Sequence, residues 1–287
     1  MSKLRVAALQ MRSGTSIERN VVMFEKMVRE AAAKGAQYLQ SPEMTGALVR
    51  DRDALRALIT SADNDLLVRK ASELADELGV HVHIGSTAIA RDDGKVANRA
   101  FLFAPDGSLI TTYDKVHMFD VDLDNGESWR ESATYEPGRE TVVADLGAVR
   151  LGLSVCYDLR FPQLFRAQAL AGAQVLTLPA AFTRQTGEAH WHALLRARAI
   201  ENGAFVIAAA QGGKHEDERE TFGHSMVVDP WGSIVAEADH DEPAVVVADI
   251  DVAASAAARA KVPNLANARP FEVRTVAASG AAGRRAS

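Results

Sequence analysis

Short apolar runs alternate along the chain with segments in which apolar residues recur every three to four positions. The runs at 6–11 and 80–89 are typical of buried strands, whereas 16–34 has helical spacing and ends at Gly35. Because predicted strands and helices alternate throughout, with added hairpins, we predict an α/β fold in which both faces of a mixed sheet are covered.

The remaining elements follow from the same spacings and from turn residues such as Asp92-Asp93-Gly94 and Pro105-Asp106-Gly107. A loop rich in charge and glycine is predicted over 120–139. Further helices are predicted at 62–78, 162–170 and 188–202, and further strands at 37–39, 97–103, 108–113, 149–156, 174–178, 205–210, 224–228, 234–238 and 244–250.

The domain organisation is predicted to be simple. No linker-like stretch or fixed-period repeat divides the chain, so we expect a single domain over 1–276. An alanine-rich helix closes this domain, and the polar segment 277–287 is expected to be a disordered tail.

Composition narrows the class of protein. Hydrophobic residues make up 47% and charged residues 24%, as in ordinary soluble globular proteins. The net charge of −6 argues against nucleic acid or an anionic membrane as the main partner. No apolar run approaches the ~18 residues of a spanning helix. A single cysteine excludes a disulfide scaffold and fits a reducing cytoplasm, where we expect the protein to reside.

That cysteine, Cys156, stands at the end of an apolar run, shortly before Pro162 opens a helical pattern. Glu43 and Lys115 also follow predicted strands. Because α/β proteins bind ligands at the carboxyl ends of strands, the three could meet in one crevice as base, oxyanion stabiliser and nucleophile. Taken singly, each also fits a bland role: Cys156 as core packing, the other two as solvated surface groups.

Three segments resemble the signature regions of the nitrilase superfamily of carbon–nitrogen hydrolases, in the family's order. They are Pro42-Glu43, 113–117 (Tyr-Asp-Lys-Val-His) and 156–162 (Cys-Tyr-Asp-Leu-Arg-Phe-Pro). The resemblance extends over about 4–275. Segments 180–191 and 222–232 resemble the branch of deaminated glutathione amidases and omega-amidases, and the second favours the former.

The resemblance implies a four-layer-forming αββα sandwich with mixed sheets, a homodimer or higher homo-oligomer, and no metal or cofactor. It also implies a catalytic triad of Glu43, Lys115 and Cys156. Cys156 would attack an amide carbonyl while Glu43 takes the thiol proton. Lys115 and the backbone N–H of Tyr157 would stabilise the oxyanion.

Two further positions match family residues with assigned roles. Glu131 matches a second glutamate, expected to position Lys115 and the substrate amide. Arg160 matches a position that binds a substrate carboxylate in related amidases, a task that suits a bidentate guanidinium. A structural ion pair of Arg160 with Asp158 or another acid is the alternative.

Thr183 and Thr186 are expected either to offer hydroxyl groups to the same pocket or to serve as turn and capping residues. Gln40-Ser41, just before Pro42-Glu43, departs from the aliphatic strand end that relatives usually carry.

The activity implied is hydrolysis of the terminal carboxamide of a small carboxylate-bearing metabolite, through a cysteine thioester, to a carboxylate and ammonia. Deaminated glutathione is the leading substrate and 2-oxoglutaramate the alternative. Hydrolysis of N-carbamoyl amino acids or nitriles would use the same triad. A hypothesis of another class is a non-catalytic interaction protein with a packed or redox-sensing cysteine.

Two metal-like patterns carry little weight. Residues 120–131 approach the spacing of a calcium-binding EF-hand loop, but Asn125 stands where that loop requires glycine. His81 and His83 have the spacing of ligands on one face of a strand, without an assignable third ligand. We expect no metal at either.

Overall fold

Two six-stranded sheets form the centre of the protein in the computed structural model, which describes residues 3–122, 126 and 128–276. In spatial order the first sheet consists of β16 (Ala244–Asp251), β1 (Lys3–Gln10), β2 (Tyr38–Gln40), β3 (His81–Ala90), β4 (Val96–Phe103) and β5 (Leu109–Asp114). The second consists of β15 (Ile234–Glu237), β14 (Met226–Val228), β11 (Phe205–Ala208), β10 (Val175–Thr177), β9 (Arg150–Leu153) and β8 (Val142–Asp145).

Each sheet is mixed. Strands β1, β2 and β3 pair in parallel, as do β9, β10 and β11, whereas the outer strands pair antiparallel. Two hairpins lie outside the sheets: β6 (Asp120–Asp122) with β7 (Ser128–Arg130), and β12 (Gly212–Lys214) with β13 (Glu220–Phe222).

Helices cover the outer face of each sheet. The six helices of the described residues are α1 (Ile17–Ala33), α2 (Arg52–Leu58), α3 (Leu66–Leu78), α4 (Pro162–Leu170), α5 (Arg184–Asn202) and α6 (Ala253–Lys261). Along β1, Val6 and Ala8 join the core between the sheets, whereas Ala7 and Leu9 pack with α1 and α3. This period-two alternation explains the layering. The predicted αββα sandwich with mixed sheets is confirmed.

A polar network crosses the buried space between the sheets. The Tyr38 hydroxyl bonds to His83 Nδ1 at 2.7 Å, and Gln40 Nε2 donates to the Ile207 carbonyl of the opposite sheet at 3.2 Å. Ser41 Oγ accepts from the Gly85 N–H at 3.1 Å. Of the two residues that depart from the family pattern, Gln40 therefore joins the two sheets, whereas Ser41 bonds β3 within the first sheet, just before Glu43.

Some elements differ from their predictions. Helix α5 begins at Arg184 rather than 188, with Thr183 as its N-cap residue. The predicted helix at 62–78 is split, because Asp65 accepts from the Val68 N–H at 3.0 Å and α3 begins after it. Helix α2, strand β8 and the β6–β7 hairpin were not predicted, since such short segments show no clear periodicity. The predicted disordered tail, 277–287, lies outside the described residues. No helix among the described residues is long and apolar enough to span a bilayer.

Candidate active site

Three loop starts bring the candidate triad together. Glu43 follows β2, Lys115 directly follows β5, and Cys156 opens the short 3-10 turn Cys156–Arg160 after β9. All three side chains are almost fully buried and line one cleft of about 240 Å³. The other residues that the sequence analysis assigned to the site, which are Glu131, Tyr157, Arg160, Thr183 and Thr186, line the same cleft.

Both oxygens of the Glu43 carboxylate accept hydrogen bonds. Its Oε1 accepts from Lys115 Nζ at 2.8 Å and from Asn98 Nδ2 at 2.9 Å, and its Oε2 accepts from the Ala181 N–H at 2.9 Å. It also hydrogen-bonds the Cys156 thiol. Burial would raise the pKa of Glu43, but the Lys115 charge, followed by these donors, outweighs burial and holds it below its ordinary value.

Lys115 lies between two carboxylates. Its Nζ is 2.9 and 3.0 Å from the two oxygens of Glu131, in addition to its contact with Glu43. Burial would lower the pKa of Lys115, yet the two negative charges raise it well above its ordinary value. Glu131 is itself fixed, because it accepts from the Phe119 N–H at 2.6 Å and from Asn98 Nδ2 at 3.1 Å. The ammonium group is therefore permanently charged and rigidly placed.

Cys156 sits at a sharp backbone turn with a φ of 49°, and its N–H donates to the Pro179 carbonyl at 2.8 Å. A positive φ is uncommon for a side chain with a Cβ and often marks a functional position. Burial, followed by the negative charge of Glu43, raises the pKa of the thiol well above its ordinary value. The resting pair is thus a neutral thiol beside a carboxylate.

The Asp158 side chain stabilises the turn at Cys156–Arg160 through hydrogen bonds. Its carboxylate is fully buried and accepts from the Val155 N–H at 2.8 Å and from the Tyr113 hydroxyl at 2.6 Å. It also bonds the Nδ1 and backbone N–H of His117. Asp158 is therefore committed to the turn, and the alternative ion pair between Arg160 and Asp158 is not formed.

Arg160 has no carboxylate within 4 Å among the described residues. Its guanidinium lies 5.3 Å from the Phe182 ring and 6.0 Å from the Tyr157 ring, and its Nη1 is 3.3 Å from His190 Nδ1. A cation stacked on aromatic rings in a cleft, without a protein counter-ion, is well placed to bind an anionic ligand.

The two threonines occupy the start of α5. Their hydroxyl groups are 2.8 Å apart, and Thr186 Oγ1 also lies 3.3 Å from the Thr183 carbonyl. Thr183 holds the N-cap position, but its side chain makes no capping bond. Both residues therefore pair locally and still line the cleft.

Sequence reasoning missed Asn98 and Arg219. Asn98 bridges Glu43 and Glu131, and the only signal for it was a polar residue within the apolar run of β4. Arg219 lies in the charged segment 214–220, whose sequence fits either a solvated loop or the border of the pocket, and it lines the cleft. Only the packing of the β12–β13 hairpin reveals its position.

The described residues offer one cluster with the composition of a metal site, formed by His192, His224 and Glu237, with donor atoms within 4.8 Å of one another. None of the three lines the cleft. His83 instead bonds Tyr38 within the sheet interface. The EF-hand-like segment lies partly outside the described residues, at 123–125 and 127, and its last acid, Glu131, binds Lys115.

Comparison with known proteins agrees with this geometry. The carbon-nitrogen hydrolase family model matches residues 5–260. The chain belongs to this family. Among its relatives, the deaminated glutathione amidase of Yersinia enterocolitica is 42% identical over 240 residues, covering 83% of each chain. The omega-amidase NIT2 of Homo sapiens is 35% identical over 267 residues, covering 92% of this chain and 94% of its own.

A solved structure adds chemical detail. It is a variant of the amidase from Nesterenkonia sp. AN1, 26% identical, with a TM-score of 0.77 over 93% of this chain and 94% of its own. In it the acetamide moiety of fluoroacetamide is covalently added at the active site cysteine. The family, the fold and the names of these relatives together support an enzyme that hydrolyses carbon–nitrogen bonds of amides.

Proposed function

We propose that this enzyme is a cysteine amidase in which Cys156 is the nucleophile, Glu43 the general base and Lys115 the oxyanion stabiliser. One observation carries the proposal: a single buried carboxylate, Glu43, contacts both the thiol and the ammonium group. A general base must lie within hydrogen-bond reach of the proton it removes, and this one does.

The first step follows from the charge states. Because the thiol is neutral at rest, its proton passes to Glu43 as the sulfur attacks the amide carbonyl carbon. The carbonyl oxygen becomes an oxyanion beside the Lys115 ammonium. The Tyr157 N–H is a second donor, since it lies in the first turn of the 3-10 segment, where N–H groups lack an intrahelical acceptor. One such donor is typically worth about 3 kcal/mol.

The intermediate then collapses. The carbon–nitrogen bond breaks, Glu43 returns its proton to the departing nitrogen, and a thioester remains on Cys156. Glu43, again a carboxylate, takes a proton from water, which attacks the thioester. A second oxyanion forms, the carbon–sulfur bond breaks, and the sulfur recovers its proton. Glu131 takes no proton in this scheme and keeps Lys115 in position.

The proposed substrate is deaminated glutathione, a small amide that carries carboxylates. The relatives support this choice, and so does Arg160, whose guanidinium has no protein counter-ion within 4 Å among the described residues. The expected release of ammonia from a terminal carboxamide does not apply to deaminated glutathione, because its γ-amide nitrogen belongs to cysteine and the leaving group would be the amino group of cysteinylglycine. Ammonia would leave only from a primary amide such as 2-oxoglutaramate. This second candidate is supported by the similarity to a protein named omega-amidase.

Intact-mass spectrometry tests the nucleophile. After brief exposure to the amide, the enzyme should gain the mass of the acyl group, and digestion should place it on Cys156. Cys156→Ala should show no adduct and no turnover while keeping the melting temperature of the wild type. A thiol that never acylates in the folded protein would refute the mechanism and favour the non-catalytic alternative.

A substrate panel tests the specificity. We expect hydrolysis of deaminated glutathione and of 2-oxoglutaramate, followed as release of an amine or of ammonia. N-carbamoyl amino acids and nitriles should react far more slowly. Faster turnover of either of these would reassign the enzyme to another activity of its family.

The proposal includes a homodimer or higher homo-oligomer in the cytoplasm. The chain's single cysteine, which allows no internal disulfide, supports the reducing compartment. Light scattering coupled to size-exclusion chromatography tests the oligomer, and a monomeric mass at micromolar concentration would contradict it.

A further inference from the structure

The cleft contains a second cationic region, apart from Arg160. The guanidinium carbons of Arg219 and Arg50 lie 4.6 Å and 4.9 Å from the Trp129 ring. Arg160 instead lies over Phe182, and all five residues line the cleft. The two regions therefore occupy different parts of the cleft wall.

Arg219 is largely buried. Its side chain is only 15% exposed, and its Nη2 lies 3.2 Å from Asp217. Its Nε is buried without a hydrogen-bond partner. Its backbone is held, because its carbonyl accepts from the His215 N–H at 2.8 Å. A side chain confined in this way loses less conformational entropy on binding a ligand than a fully exposed one.

The two arginines differ in their pairing. Arg219 is paired with Asp217, whereas Arg50 is exposed and has no carboxylate within 4 Å among the described residues. Within the described part of the chain, this region therefore offers one guanidinium without an ion-pair partner.

The spacing relates this region to the nucleophile. The Phe119 ring lies 5.1 Å from the ring of Tyr157, the neighbour of Cys156, and 6.4 Å from the Trp129 ring. Three aromatic rings, those of Tyr157, Phe119 and Trp129, therefore follow one another between Cys156 and the two arginines. A dipeptide leaving group attached at the reacting carbonyl would extend about 7 Å beyond it, along the cleft that these residues line.

We propose that Arg219 and Arg50 form a second anion subsite, which binds the terminal carboxylate of a peptide leaving group while Arg160 binds the carboxylate of the acyl group. The inference rests on the proposed function and deepens it. Guanidinium groups form strong, charge-assisted hydrogen bonds to carboxylates. Removing these arginines should therefore weaken binding only for substrates whose leaving group carries a carboxylate. The subsite distinguishes a dipeptide amide from a primary amide, which has no leaving-group carboxylate.

Three substrates test the subsite: deaminated glutathione, the same compound with its glycine carboxylate converted to a carboxamide, and 2-oxoglutaramate. The wild type should prefer the free acid to its carboxamide by about tenfold or more in kcat/KM. Arg219→Gln and Arg50→Gln should remove most of this preference, mainly through KM, and change the other two substrates by less than about twofold. Arg219→Lys should recover part of it, because the charge remains.

Arg56→Gln is the matched control, since Arg56 is exposed nearby on α2 but does not line the cleft. It should leave the preference unchanged. Arg50→Gln keeps the test valid if loss of the partly buried Arg219 impairs folding. Equal losses on all three substrates, or a wild type that hydrolyses the carboxamide as well as the acid, would overturn the subsite.

The same data separate this inference from the proposed function. If the enzyme hydrolyses 2-oxoglutaramate but not deaminated glutathione, the proposed amidase activity is supported and the subsite is refuted. Turnover of neither would refute the proposed function, and the subsite with it.

Discussion

The side-chain amide of Asn98, in the mostly buried and mostly apolar strand β4, donates to Glu43 Oε1 at 2.9 Å. The same nitrogen is 3.1 Å from Glu131 Oε1. One amide thus holds two carboxylates that would otherwise repel each other, and Lys115 completes the arrangement.

Replacing Asn98 by leucine, which has a similar size, should lower kcat by about 10- to 100-fold, since Glu43 loses a donor that favours its charged form. The pKa of Glu43 should rise, so the acid limb of the pH–rate profile should move to higher pH. Asn202→Leu is the control, because Asn202 is equally buried but donates to Arg198 away from the cleft. An unshifted profile in the Asn98 variant would contradict the assignment.

Glu131→Gln should lower kcat by about 10- to 100-fold with little change in folding, because the Lys115 ammonium loses one of its two fixed carboxylates. Steady-state kinetics with a melting curve checks this. Glu136→Gln is the control, as that glutamate pairs with Lys95 instead. Similar kinetic losses in both variants would indicate a general charge effect.

Arg160→Ala should raise KM for carboxylate-bearing amides by about 10-fold or more and leave a neutral primary amide within about twofold. Folding should not change, because Arg160 forms no ion pair among the described residues. Arg139→Ala, at an exposed position outside the cleft lining, provides the comparison. Equal effects on acidic and neutral amides would remove Arg160 from substrate binding.

Gly85 allows the backbone segments around Ser41 and Pro179 to pack closely against β3, next to the site. A Cβ there would lie 2.0 Å from the Ser41 carbonyl and 2.3 Å from Pro179 Cβ. Ser41 leads to Glu43, and the Pro179 carbonyl accepts from the Cys156 N–H. Gly85→Ala should therefore destabilise the protein by about 1–3 kcal/mol and also reduce kcat.

Urea unfolding and kinetics on the Gly85→Ala variant test both effects. Gly147→Ala, which has a positive φ but nothing within 4 Å of the added Cβ, should lose stability without losing activity. An active, stable Gly85→Ala protein would contradict this prediction, because it would show that the segments of Ser41 and Pro179 can move apart to make room for the added methyl group.

Burial lowers the pKa of His83 to about 3, from an ordinary value of 6.5. Between these values the unfolded chain binds a proton that the folded chain does not, so stability is full above pH 6.5 and falls as the pH decreases. At pH 5 the loss is about 2 kcal/mol.

Urea unfolding at pH 7 and pH 5 measures this loss. His83→Gln retains a polar partner for the Tyr38 hydroxyl but does not titrate, so its stability should fall by about 2 kcal/mol less than that of the wild type. Parallel losses in the two proteins would contradict the role of His83.

Much of the fold could be predicted from the sequence. Long strands and helices such as β3 and α1 were located within a few residues, because their burial imposes a clear period on the side chains. The three-residue strands of the β6–β7 and β12–β13 hairpins could not be found in this way, because three residues are too few to show alternation.

The site residues also fall into two groups, those that the sequence indicates and those that only the folded structure shows. Glu43, Lys115 and Cys156 stand at strand ends within recognisable motifs, and the structure brings them into contact. Asn98 contacts carboxylates that are remote in sequence, and Arg219 lies between two three-residue strands beside Trp129, so only the folded chain shows their positions.

The chain has one thiol, and that thiol lies in the cleft. An electrophilic label of the right size would therefore count functional centres directly, one adduct for each intact molecule. No background mutagenesis would be needed, and competition by a substrate analogue would report its occupancy on the unmodified protein.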